Sequence, residues 1–85
     1  PNPDTIIQSP MTANVPDDPA TLYALTGALG NRATVENFGN IVKYAERMPA
    51  EFSVLCVSYA SRKNEELAST EAFTKWAIAH QDVLF

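Results

Sequence analysis

Two side chains in this sequence have nucleophile or base chemistry near neutral pH, the single cysteine Cys56 and the single histidine His80. A cysteine nucleophile needs a neighbouring base to hold it as thiolate, and a helical fold can bring His80 towards Cys56 across a core. No local signature accompanies the pair. With Val54, Leu55 and Val57 around it, Cys56 reads as a small core hydrophobe, and His80, late in the chain, reads as the edge of a last helix. Cys56 has no second cysteine to pair with and no metal-ligand spacing around it, and His80 with Asp82 is too sparse for a metal site. The carboxylate pairs Asp17/Asp18 and Glu65/Glu66 are explained by helix starts and solvated loops. The residues therefore point to no catalytic site, no metal and no cofactor.

A phosphate-binding loop needs a glycine-rich turn followed by lysine and a hydroxyl residue, so that backbone donors and an ammonium surround the phosphates. Gly27-Ala28-Leu29-Gly30 lacks the lysine and ends a helix instead of opening one. Among the cations Arg32 stands out, between the first two helices. Its simplest role is to satisfy the last carbonyls of the first. Phe38, Phe52, Phe73 and Trp76 could line a pocket, but at helical spacing they read as core.

Composition narrows the partners. The chain has 85 residues, enough for one domain, with 46% apolar and 19% charged side chains and a formal charge of −4. An acidic chain without a basic run gains little from phosphate neutralisation, which argues against direct nucleic-acid binding. No run approaches the roughly 20 apolar residues that span a bilayer, and the start is proline-rich and polar, unlike a secretory signal. The expectation is a cytoplasmic chain without a membrane partner. Pro1 at the first position is consistent with removal of an initiator Met or with a segment of a longer polypeptide.

The elements that must position these residues are helices. Pro1, Pro3, Pro10, Pro16 and Pro19 crowd the start, so residues 1–17 read as an extended arm or linker, with Ile6, Ile7, Met11 and Val15 available to pack it onto something. A helical bundle over 18–85 is expected to follow. Asp18 as cap, Pro19 at the first position and Leu22, Leu25 and Leu29 mark a first helix, which Gly30 is expected to stop in the left-handed conformation. Thr34 opens a second, with Phe38, Ile41, Val42, Ala45 and Met48 on one stripe, Glu36, Asn40, Lys43 and Arg47 facing away, and Pro49 as its end.

Residues 49–63 carry the β-branched content of a strand, yet Phe52, Leu55, Cys56 and Tyr59 recur at helical spacing and a lone strand would have no partner. A central buried helix is expected, closed by Asn64. Glu65-Glu66-Leu67 then makes a short turn. Ser69 or Thr70 caps a last helix with Phe73, Trp76, Ala77 and His80 on its inner or edge face, and Val83-Leu84-Phe85 is expected to pack. The fold class is all-α, a small four-helix bundle preceded by an extended proline-rich N-terminal arm.

Two stretches carry a family resemblance. Asp18-Pro19-Ala20-Thr21-Leu22-Tyr23-Ala24-Leu25 resembles the start of the helical lid of phage and bacterial AAA+ ATPases of MoxR-like character. Tyr44-Ala45-Glu46-Arg47-Met48-Pro49-Ala50-Glu51-Phe52, with Phe73-Thr74-Lys75-Trp76, resembles the end of such proteins. The resemblance covers about sixty-five residues from Asp17 onward. It implies a small helical bundle seated over ATP held by a preceding α/β domain, passing motion to the neighbouring subunit of a ring. In the MoxR-like pattern an arginine follows the proline that opens the first lid helix. Here that slot, after Pro19, holds Ala20, which leaves Arg32 as the candidate nucleotide-binding residue.

Two functions follow as expectations. One is a non-catalytic C-terminal lid or assembly domain of a larger AAA+-type ATPase, with the preceding domain or a neighbouring subunit as protein partner and homo-oligomerisation through the parent chain. The other is an independent helical interaction module of phage or bacterial origin that binds through an apolar face.

Overall fold

The computed structural model of the protein describes residues 2–63 and 65–84. Its first helix is already a departure from an extended arm. Asn2 Oδ1 accepts from the Asp4 backbone N–H at 2.8 Å, Pro3 takes the first helical position, and Asp4 lies in the first turn. Those three features open α1 (Pro3–Gln8), which carries Ile6 into the core with no exposed surface. The described part of the 1–17 segment is thus partly helical and packed.

The physical reason lies on α3 (Phe38–Ala45) and just beyond it. Asn40 donates from Nδ2 to Ile7 O at 2.8 Å, and the Tyr44 hydroxyl donates to Asn14 O at 2.6 Å. Arg47 donates from Nη1 to Pro10 O and Ala13 O, both at 2.7 Å. Asn40 is half-buried, and Arg47, exposed as the stripe suggested, reaches back over the chain; with Tyr44 they form a line of donors under the N-terminal segment. Tyr44, fully buried, joins the core. Burial holds its hydroxyl above the ordinary tyrosine range, with the Arg47 charge pulling the other way.

The four expected helices appear as α2 (Pro19–Asn31), α3, α4 (Ala50–Lys63) and α6 (Glu71–Ala79). Three short helices that the sequence reading lacked accompany them among the described residues, α1 before α2, α5 (Glu65–Ala68) in place of the expected turn, and α7 (Gln81–Leu84) after α6, so the fold is all-α with more than four helices. No strand occurs among the described residues. Asp18 caps α2, its Oδ2 accepting from the Thr21 N–H at 2.9 Å and from the Thr21 hydroxyl at 2.8 Å. Leu22, Leu25 and Leu29 face the core as expected. Gly30, however, does not stop the helix in a left-handed turn. No glycine has positive φ among the described residues, and α2 continues to Asn31.

Thr34 and Asn37 cap each other before α3. The Thr34 N–H donates to Asn37 Oδ1 at 2.7 Å and the Asn37 N–H to Thr34 Oγ1 at 3.1 Å, a capping box with Asn in the usual Glu/Gln place. Thr34 O receives the Phe38 N–H at 2.9 Å, but α3 itself opens at Phe38, four residues later than expected, and ends at Ala45, short of Pro49.

Residues 50–63 are helical throughout, and α4 is central, packing on α2, α3, α5 and α7. Its buried face is Ser53, Cys56, Val57, Ala60 and Ser61, not the expected Phe52–Leu55–Cys56–Tyr59 stripe. Small residues win that face because they let neighbouring helices approach closely. Leu55 and Tyr59 turn outward, 44% and 42% exposed. The buried hydroxyls are partnered: Ser61 Oγ donates to Ser58 O at 3.0 Å, and Ser53 Oγ receives the Trp76 Nε1–H at 3.4 Å. Thr70 rather than Ser69 caps α6, accepting from the Phe73 N–H at 3.1 Å. The closing role given to Asn64 and the packing given to Val83-Leu84-Phe85 lie outside the described residues or side chains.

Candidate functional site

The sequence candidates are far apart in role. Cys56 is fully buried, and desolvation pushes its thiol up to about 12, so at neutral pH it is not the thiolate that nucleophilic attack requires. His80 is engaged elsewhere: its ring stacks on Trp76 with centroids 4.6 Å apart, and Nδ1 lies 2.8 Å from Trp76 O. No hydrogen bond joins Cys56 to His80 among the described residues. Phe38, Phe73 and Trp76 form a tilted aromatic row at 6.5 and 6.1 Å that fills the core rather than lining a pocket. No group of three or more His, Cys, Asp or Glu able to hold a metal occurs among the described residues. No helix there is long and apolar enough to cross a membrane.

Arg32 caps the end of α2 and bridges to α1. Its Nη1 donates to Ala28 O at 3.1 Å, as a helix-terminal arginine should, and its Nε pairs with Asp4 Oδ1 at 3.2 Å. The Arg32 side chain is still 44% exposed.

A groove of about 530 Å³ runs between α2 and α4, and the sequence did not mark it. Tyr23, Thr26 and Gly27 form its α2 wall. The α4 wall is Val54, Leu55, Ser58 and Tyr59, with Arg62 at the end. Tyr23 is 65% exposed, the largest apolar side chain left open on α2. Among the described residues Arg62 is the sole charge in the lining. Gly30 lets one wall of the groove, Tyr59, approach α2 closely. A Cβ at that position would collide with the Tyr59 ring, at 2.8 Å from Cε2 and closer still to Cδ2. The missing side chain lets the ring settle against α2, where its hydroxyl donates to Asn31 Oδ1 at 2.8 Å. Lys63 adds a second tie, donating to Asn31 O at 2.7 Å. The walls are thus fixed by polar contacts at one end while the apolar surface stays open. The signal available in the sequence was Leu55 and Tyr59 lying a little to one side of the small-residue face of Ser53, Ala60 and Ser61.

The arrangement carries no acid–base pair. It offers aromatic and aliphatic surface beside one cation, which suits recognition of an apolar face rather than bond chemistry. No protein-family model matches the chain, and comparison with curated proteins and with solved structures found no match.

Proposed function

We propose that this is a non-catalytic helical interaction domain, working in the cytoplasm, that docks another protein surface along the α2–α4 groove. The observation carrying the proposal is the exposure of Tyr23, Leu55 and Tyr59 around one groove whose walls are already fixed. Aromatic side chains held rigid at the surface make strong anchors because little rotamer freedom remains to be lost on binding. A photo-cross-linking residue placed at position 23 tests this in cells. The reading expects one defined protein adduct from position 23, its affinity for the purified domain lost with Tyr23→Glu. Equal labelling from position 36, on the α2–α3 turn, or no adduct from position 23, sinks it.

The AAA+ lid is the second reading, supported by Arg32 standing exposed at the end of α2. In that setting Arg32 would exchange Asp4 for a phosphate of ATP held by a preceding domain. The isolated domain would bind ATP only weakly, since the phosphate cradle would lie elsewhere. An upstream coding sequence without a P-loop ends this reading.

A further inference from the structure

Along the outward face of α4, Glu51, Leu55, Ser58 and Arg62 follow one another at helical spacing, flanked by Val54 and Tyr59. The spacing of this face is the same read in either direction, and its two ends carry opposite charges. In an antiparallel pairing of two such helices centred between Cys56 and Val57, Glu51 stands opposite Arg62, Val54 opposite Tyr59, and Leu55 opposite Ser58. A two-fold axis makes every pair twice. The two end charges lie about 16 Å apart along the axis, at 1.5 Å of rise per residue. Each would meet its opposite on the facing helix.

Among the described residues neither end charge has a partner. The ion pairs among them are Arg32–Asp4 and Lys75–Glu71, and the side chains of Glu51 and Arg62 take part in neither an ion pair nor a hydrogen bond. Two of the other cations are held by main-chain oxygens: Arg47 by Pro10 O and Ala13 O, Lys63 by Asn31 O. Two unpaired opposite charges thus frame an exposed apolar stripe.

We infer that the occupant of this face is a second copy of the chain, its α4 laid antiparallel on the first with reciprocal Glu51–Arg62 pairs. The inference rests on the docking reading and names its partner. Leu55 and Tyr59 of each copy would cover the other's apolar surface, and the flanking Tyr23 side chains would close its sides. The paired charges fix register and direction, because a parallel arrangement would set Glu51 against Glu51 and Arg62 against Arg62.

Sedimentation of the full chain across a concentration series reads this directly. The wild-type protein should dimerise. Glu51→Arg and Arg62→Glu should each weaken the dimer by at least about tenfold, since each places like charges opposite one another twice. An equimolar mixture of the two variants should restore association, as should the double variant E51R/R62E, because only antiparallel pairing reunites opposite charges in both. Circular dichroism of each variant checks that the exposed substitutions leave the helices intact. A monomeric wild-type chain, a dimer indifferent to both substitutions, or single variants that fail to complement each other would overturn the inference. If the chain is monomeric and position 23 still cross-links a different protein, the second copy is ruled out and the docking reading stands. A monomeric chain with no adduct defeats both.

Discussion

Gly30 and Tyr59 meet with no room for a methyl group between them, and the Tyr59 hydroxyl reaches past the contact to Asn31 Oδ1 at 2.8 Å. One ring therefore both spaces two helices and forms a wall of the groove. Gly30→Ala should cost about 1–3 kcal/mol as an overpacked contact, despite the better helix propensity of alanine. Gly27, three residues earlier on the same helix, has nothing within 4 Å of the position its Cβ would take, so Gly27→Ala should stabilise by about 0.5–1 kcal/mol. Urea unfolding of the two variants should give opposite signs, and Tyr59→Ala should abolish the penalty at Gly30.

Removing Ile6 tests whether the N-terminal segment belongs to the folded unit. Ile6→Ala should destabilise by about 2–5 kcal/mol and Ile6→Val by about 0.5–1.5 kcal/mol. A freely solvated arm would leave thermal unfolding unchanged in both.

Arg47→Ala should cost about 1–2 kcal/mol, since two carbonyls lose a charged donor but can recover water. Amide exchange should then speed up around residues 9–14 while the amides of α4 keep their protection.

Cys56 makes stability fall at high pH. Its folded value, about 12, lies above its ordinary 9.0, so above that lower value the unfolded chain gives up a proton that the folded chain keeps. Its contribution to stability is complete below pH 9.0 and is lost between there and pH 12, at up to about 1.4 kcal/mol per pH unit. Cys56→Ala should flatten that slope. Asp18 acts in the opposite range. Thr21 holds its carboxyl below 3.8, so the cap stabilises above that pH and is lost as pH falls through the folded value. Iodoacetamide should label Cys56 at pH 8 only as fast as the core opens.

Much of this was legible in the sequence, and the residues show why. Asp18-Pro19 announced α2 because cap and first position are local chemistry. Residues 50–63 were readable as helix because periodicity outweighs β-branched content when no strand partner exists. α1 was hidden by its prolines, although Asn2-Pro3-Asp4 spells a helix start of the same kind as Asp18-Pro19. The outward turn of Leu55 and Tyr59 was also hidden. Which side of α4 is buried depends on how closely α2 approaches, and that is set by Gly30, remote in sequence. The one local trace of the groove is the small-residue face of Ser53, Ala60 and Ser61 beside Leu55 and Tyr59.

The donors of Asn40, Tyr44 and Arg47 all end on main-chain oxygens, those of Ile7, Asn14, Pro10 and Ala13. A segment punctuated by prolines is short of N–H groups but keeps every oxygen, so a row of donors holds it without consulting its side chains. Drift in Ser9, Met11 or Thr12 should therefore be tolerated so long as the path of the chain survives, whereas the three holders, two on the facing helix and Arg47 just past its end, have no such latitude.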